Sequence, residues 1–309
     1  MIVVEVMGGL GNQLQQYALY RKMKHLGREA RLDVSWFLDE KRQSSVLAGR
    51  KLELSWFEGL PMECCSRAER EALLGKDSFT GKLKRRLWPK TCRIFRESGM
   101  YHPEIFAMDE VYLSGFWACE KYYADILPKL RESIVFPRKS RMQGNGEDAL
   151  FARNAELMRK MESETSVSLH IRRGDYLDPH NAALFGGICT EEYYDGAIRY
   201  IRERCPDAHF YLFSDDPGYA REKYRGKEFT TVDWNTGENS LFDMQLMSRC
   251  RHNICANSTF SFWGARLNEN PDKLMIRPSR HKNGQEAGPE RMKELWAGWV
   301  LLDGEGRGI

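Results

Sequence analysis

The sequence predicts an α/β protein built from two Rossmann-like domains, with the ligand site in the cleft between them. Three observations carry that expectation. Short apolar runs alternate with longer amphipathic ones, the pattern of parallel strands joined by helices. The chain has 309 residues, room for about two domains at roughly 150 residues each. Its polar motifs fall directly after the predicted strands, where ligands of open parallel sheets bind.

Ile2-Val3-Val4-Glu5-Val6 opens the chain as a short buried strand. Gly8, Gly9 and Gly11 then make a tight loop, and Gln13 to Leu26 reads as a helix with Leu14, Tyr17, Ala18, Arg21 and His25 on one face. Ala30 to Val34 is the next strand. From 35 to 110 the pattern weakens, leaving one helix over Arg67 to Leu74. Val111 to Phe116 reads as a strand and Glu120 to Ser133 as a helix. Residues 137–146 are polar, with one proline and two glycines, and read as a linker, so the domain boundary is placed at 140/141. Beyond it the alternation is cleaner. Helices are expected over Asp148 to Met161, Glu191 to Arg204 behind a Thr190 cap, Pro217 to Lys223, Ser240 to Cys250 and Ser258 to Leu267. Strands are expected over Ser166 to Ile171, His209 to Phe213, Phe229 to Val232, Asn253 to Ala256 and Leu274 to Arg277.

Lysine and arginine total 47 and aspartate and glutamate 44, a net charge of +3. That is too balanced for a dedicated nucleic-acid binder. No apolar run reaches the roughly 18 residues that span a bilayer, and the N-terminus lacks the basic start of a signal peptide. The expectation is a cytoplasmic protein, at most peripheral to an inner membrane. The basic stretch Lys82 to Arg96, interleaved with Leu83, Leu87, Trp88, Ile94 and Phe95, is the segment that suits weak contact with an anionic surface; a solvated face is the plainer reading. The 8 cysteines include no CxxC pair and no Cys/His cluster at ligand spacing, so free thiols are expected rather than a zinc site.

Arg172 and Arg173 follow a buried strand and stand beside His170, Gly174 and Asp175. Two guanidiniums there suit a diphosphate, because each makes paired N–H···O bonds and stays charged. A surface salt bridge is the bland alternative. Gly8-Gly9-Leu10-Gly11 opens a helix whose amides suit an anion, or is only a tight turn. It is no dinucleotide or Walker motif, since Leu14 takes the last glycine position and no Gly-Lys-Ser/Thr follows. Ser258 and Thr259 either cap a helix or offer donors to a phosphate. Asp243 lies in the apolar run Leu241 to Met247, where a carboxylate is costly unless paired. It either accepts two N–H bonds from a guanine or joins an interior salt bridge. Asp215 and Asp216 suit Mg²⁺ or Mn²⁺ on a nucleotide diphosphate, or a helix N-terminus. The arginines already supply positive charge, so no metal is expected.

Taken in this order, the clusters resemble the α-1,2-fucosyltransferase family, glycosyltransferase family 11. The segments that carry the resemblance are Gly8 to Gln13 with Gln16-Tyr17-Ala18, Gly115-Phe116-Trp117 with Glu120 to Tyr123, His170 to Tyr176, Phe213 to Pro217, and Ala256 to Ser261 with Trp263-Gly264. They span residue 1 to about 267. The family often reads Trp-Trp where Phe262-Trp263 stands, Met-Phe-Gln-Tyr where Leu14 to Tyr17 stands, and His-Gly where Gly186-Gly187 follow Phe185. The resemblance implies a GT-B fold, with residues 1–140 on the acceptor side and 141–309 binding the donor. It implies GDP-β-L-fucose as donor, a galactose-terminated glycan as acceptor, inversion at the anomeric carbon and no required cofactor. Related enzymes use the first Arg of an HxRxxD-type motif on the diphosphate, which maps to Arg172, with His170 near the nucleotide. Asp243 maps to a guanine-binding Asp, Ser258 and Thr259 to phosphate donors, and Asn12 to an Asn near the sugar and diphosphate. Gly9, Gly11, Arg173, Asp215 and Asn257 complete the expected donor site.

The reaction implied is transfer of L-fucose to O2 of a terminal galactose, in assembly of a surface polysaccharide such as an O-antigen. Arg172, with Asn12 and Asp175, is the expected catalytic set. Asp175, Asp178, His180 and Glu5 are candidates for the base. Rival readings are a transferase with another nucleotide sugar and a non-catalytic nucleotide-sugar binder. A Rossmann oxidoreductase is disfavoured by the missing GxGxxG.

Overall fold

A computed structural model describes residues 1–43, 49–75, 93–98, 100–137, 147–284 and 287–309, without the side chains of Glu147, Asp148, Asp175, Leu177 and His180. Most of the basic stretch Lys82 to Arg96, and residues 138–146 of the expected linker, lie outside the described residues. The chain forms two compact units, Met1–Val135 and Phe136–Ile309.

The first unit holds a parallel sheet of four strands: β1 (Ile2–Glu5), β2 (Ala30–Asp33), β3 (Ile94–Arg96) and β4 (Val111–Ser114). Their order is β2-β1-β4-β3. β1 is a β-branched run buried at every position, as a central parallel strand requires. Helix α1 (Leu10–His25) starts three residues earlier than its apolar pattern suggested. Gly9 is its N-cap, so Gly11 and Asn12 belong to its first turn rather than to a loop. α2 (Glu40–Gln43) and α3 (Arg67–Leu74) follow, and a reciprocal Ser66/Glu69 capping box starts α3. The helix expected over Glu120 to Ser133 is broken. Two single 3₁₀ turns, Glu120–Tyr122 and Ala124–Ile126, precede α4 (Leu127–Ser133). Pro128 stands at the start of α4; it has no N–H to continue a ladder from upstream, so the α-helix begins there.

The second unit holds a parallel sheet of six strands in the order β10-β9-β8-β5-β6-β7. The strands are β5 (Ser166–Ile171), β6 (His209–Ser214), β7 (Phe229–Val232), β8 (His252–Ile254), β9 (Met275–Pro278) and β10 (Val300–Leu302). The helices are α5 (Glu147–Ser163), α6 (Pro179–Phe185), α7 (Glu191–Arg202), α8 (Pro217–Lys223), α9 (Leu241–Arg249), α10 (Thr259–Leu267) and α11 (Pro289–Leu295). Both faces of the sheet are covered. Phe210 and Leu212 of β6 pack with Tyr193, Ala197 and Ile201 of α7, while Tyr211 and Phe213 pack with Leu157 and Met161 of α5 and Leu246 and Met247 of α9. This alternation is why β6 reads as a continuous apolar run. The Thr190 hydroxyl accepts the Tyr193 amide, the cap expected for α7.

Candidate active site

In each unit the strand order reverses at one place, between β1 and β4 and between β5 and β8. Crevices at such switch points are where open parallel sheets bind ligands. The glycine loop and Gly115 follow β1 and β4, and Arg172 and Asn257 follow β5 and β8.

In the first unit, Gln16 bridges the two loops at the switch point. Its Oε1 accepts the Met7 amide at 2.9 Å and its Nε2 donates to the Gly115 carbonyl at 2.9 Å. Gln13 is fully buried, donates to the Gly8 and Lys51 carbonyls, and accepts the Glu53 and Leu54 amides. The glutamines are thus brackets that hold the glycine loop. Glu53 is half-buried beside Arg50 and near the Leu10 amide at the start of α1. Burial holds the Glu53 carboxyl above its ordinary value. Sequence reasoning missed Glu53 because it reaches α1 from a separate 3₁₀ turn, Glu53–Trp56.

A cavity of about 930 Å³ lies within the first unit, lined by Glu5, Asp33, Arg42, Arg70, Arg96 and Tyr112 among others. Glu5 is buried, with Oε1 accepting from Arg42 and Oε2 from Ser114. Both oxygens are committed, so Glu5 is a poor base, contrary to its inclusion among the candidates. Asp33 accepts the Tyr112 hydroxyl at 2.7 Å and the Ser35 amide at 2.9 Å.

In the second unit, Ile171 and Ser214 are paired in the register of β5 and β6. The next residues therefore meet. Arg172 Nη1 is 3.1 Å from Asp215 Oδ2, and Asp215 Oδ1 accepts the Arg173 amide at 2.9 Å. A Cβ on Gly174 would stand 2.7 Å from Asp215 Oδ2, so only glycine lets this carboxylate approach. Arg173 turns away: its guanidinium stacks 3.8 Å from the Tyr219 ring and its Nε is 3.4 Å from Asp216. Asp216 also caps α8 by accepting the Tyr219 amide. Asp215 pairs with Arg172, Asp216 caps α8, and Arg173 is held against Tyr219 and Asp216, while Arg172 follows β5 at the switch point.

The Tyr176 hydroxyl donates to the Asn257 carbonyl at 3.0 Å, tying the loop after β5 to the loop after β8. The buried Asn257 amide donates to the Phe185 and His281 carbonyls and accepts the Cys189 thiol. Its side chain thus holds loops together. Ser258 is the N-cap of α10 by position, yet its hydroxyl makes no capping bond, and Thr259 opens the first turn. Burial, reinforced by Arg172, lowers His170 to about 4, so its ring is neutral. Its Nδ1 is buried without a hydrogen-bond partner among the described residues.

Asp243 makes no ion pair among the described residues. Its Oδ1 accepts from Asn235 Nδ2 at 2.8 Å. Burial pushes its carboxyl up to about 8, with the nearby Asp233 adding to the rise. Asp175 and His180 have no described side chains. Among the described residues no group of three or more His, Cys, Asp or Glu side chains could hold a metal ion, and no helix is long and apolar enough to cross a membrane.

The family model described as Glycosyl transferase family 11 matches residues 104–301. The chain belongs to glycosyltransferase family 11. An α-1,2-colitosyltransferase of Escherichia coli is 30% identical over 90% of this chain and 91% of its own. The O-antigen biosynthesis glycosyltransferase WbnK of Escherichia coli is 29% identical over 96% of this chain and 98% of its own. A GDP complex of an Arabidopsis thaliana FUT1 variant aligns at 13% identity and a TM-score of 0.48, over 91% of this chain and 71% of that one. As a family 11 member the protein is a glycosyltransferase, and Arg172, Asp243 and the start of α10 lie in the part of the chain that the family model covers.

Proposed function

We propose that this glycosyltransferase transfers L-fucose from GDP-β-L-fucose to O2 of a terminal galactose, with inversion, in O-antigen assembly. The observation that carries the reading is Arg172, held by Asp215 at the switch point of the second sheet in a member of family 11. Asp243 supports a guanine nucleotide and the open start of α10 supports its phosphates. The acceptor hydroxyl attacks the anomeric carbon from the face opposite GDP. The transition state has oxocarbenium character, and negative charge grows on the β-phosphate, where Arg172 stabilises it. Glu53, a half-buried carboxyl raised above its ordinary value beside the glycine loop, is our candidate for the general base. The cavity of the first unit, with carboxylates and arginines together, suits the many hydroxyls of a glycan.

A second reading is favoured by the colitosyltransferase relative: the same chemistry with colitose, which is fucose lacking its 3-hydroxyl. The test is donor turnover by mass spectrometry with GDP-fucose, GDP-colitose, GDP-mannose and UDP-galactose on galactose-terminated acceptors, each with and without EDTA. Fucose transfer that survives EDTA is the expected result. Colitose transfer alone would select the second reading, and turnover of the UDP sugar would overturn both.

A further inference from the structure

Four side chains of the second unit form a hydrogen-bonded row that ends at Asp243. Trp234 Nε1 donates to Asn154 Oδ1 at 2.7 Å. Asn154 Nδ2 donates to Asn235 Oδ1 at 2.9 Å. Asn235 Nδ2 donates to Asp243 Oδ1 at 2.8 Å, and also faces Asn154 Oδ1 at 3.2 Å. Asn154 and Asn235 are both buried, at 2% and 5% exposure. Trp234 is fixed in turn by the Arg153 guanidinium, 3.5 Å over its ring.

An amide side chain can be turned end for end, which exchanges its donor and acceptor. Here that freedom is removed. The indole N–H only donates, so the Asn154 oxygen must face it. The Asn154 nitrogen must then face the Asn235 oxygen, and the Asn235 nitrogen must face Asp243. The direction of every bond in the row is dictated from its tryptophan end. The row thus delivers a donor to one oxygen of a carboxylate whose burial disfavours its charge. The other oxygen, Oδ2, has no hydrogen-bond partner among the described residues.

We propose that Trp234, Asn154 and Asn235 are positioning residues that present Asp243 as a two-oxygen acceptor and thereby select a guanine base. This rests on the proposed GDP donor. Guanine offers N1–H and an exocyclic amine side by side, the complement of a carboxylate. Hypoxanthine keeps N1–H and lacks the amine. The ratio of GDP to inosine diphosphate affinity therefore reads the second bond directly, and a hydrogen bond to a charged group is worth roughly tenfold to a hundredfold.

The experiment is isothermal titration of the full chain with GDP and with inosine diphosphate, for the wild type and for Asp243→Asn, Asn235→Ala, Asn154→Ala and Trp234→Phe. Trp234→Phe keeps the ring beneath Arg153 and removes only the donor that sets direction, so it carries the test if an asparagine variant fails to fold. The expected result is a wild-type preference for GDP of about tenfold or more, lost in Asp243→Asn and cut at least severalfold in Asn235→Ala and Trp234→Phe, with the thermal midpoint of Trp234→Phe little changed. If Asp243→Asn loses the preference while Trp234→Phe and Asn235→Ala keep it in full, the row is only structural and the proposal falls. If the wild type has no preference, the guanine role of Asp243 falls and takes the proposal with it.

Discussion

Arg172 and Asp215 are next in register after the paired residues Ile171 and Ser214, and their side chains meet at 3.1 Å. Both are about a quarter exposed, so the pair contributes little to stability, on the order of 1 kcal/mol or less. Its value is in aiming the guanidinium. Arg172→Ala should leave a folded protein whose kcat falls at least ~100-fold, the scale of losing one transition-state donor. Asp215→Asn keeps an acceptor for the Arg173 amide and loses the counter-charge, so a smaller fall is expected, of about tenfold. Steady-state kinetics with thermal melts check both, and near-normal turnover of Arg172→Ala would remove it from the mechanism.

If Asp243 holds a guanine, nucleotide binding should depend on pH. A guanine needs the carboxylate, yet the free protein holds the carboxyl at about 8. Binding below that pH must release a proton, so GDP affinity should rise roughly tenfold per pH unit from about 6 to about 8 and then level. Asp243→Asn should bind weakly with a flat profile. Stability runs the other way. A carboxyl raised in the folded state binds its proton more readily there than in the unfolded chain. The stabilisation is complete below the ordinary aspartate value of 3.8 and is lost as pH rises toward about 8. Denaturant titrations across this range should show Asp243→Asn gaining on the wild type as pH rises.

The second unit was legible in its sequence because each strand is a run of residues buried on both faces and each motif sits at a strand end. Arg172 and the start of α10 could be named from that pattern, and Asp243 from being a carboxylate within the apolar run Leu241 to Met247. What the pattern does not carry is the side-chain geometry that decides between rival roles. Arg172 and Arg173 look alike in sequence, and only the stacking of Arg173 on Tyr219 separates them. Asn154 and Asn235 are 81 residues apart, with no local signal of their contact. The first unit was read less well, because β3 has 3 residues and much of its chain runs in short 3₁₀ turns without helical or strand periodicity.

Glu53 offers a test that separates a structural carboxyl from a base. Glu53→Gln keeps the shape of the side chain and loses only the charge. If Glu53 deprotonates the acceptor, kcat should fall at least ~100-fold while GDP affinity is unchanged, and the acidic limb of the kcat profile should disappear. A variant with full kcat and a slightly altered melting point would leave Glu53 a structural residue alone.

The cavity of the first unit predicts a division of labour between variants. Arg96 lines it from the end of β3 and Arg70 from α3, where Arg70 bonds the Ser35 hydroxyl. Replacing either by alanine should raise the acceptor KM severalfold, the loss of about one hydrogen bond of roughly 1 kcal/mol. The donor KM should not move. Acceptor and donor titrations on one preparation distinguish the two, and a change in donor KM alone would remove the cavity from acceptor binding.

Close backbone approach at the C-terminus sets the last prediction. Gly196 of α7 faces the final turn of the chain, and a Cβ there would stand 2.4 Å from the Gly306 carbonyl oxygen and 2.5 Å from its Cα. Neither atom belongs to a side chain that can swing aside. Gly306 itself sits at φ 73°, in a turn closed by Asp303, whose Oδ1 accepts the Glu305 and Arg307 amides. Gly196→Ala must therefore push this turn off α7, at a cost of about 1–3 kcal/mol, which lowers Tm by several degrees in a domain of this size. Gly304 is the internal control, since its Cβ would meet nothing nearer than 3.8 Å and alanine there should cost less than ~0.5 kcal/mol. Calorimetry of the two variants side by side checks the contrast, and equal melting points would mean that the terminal turn yields without cost.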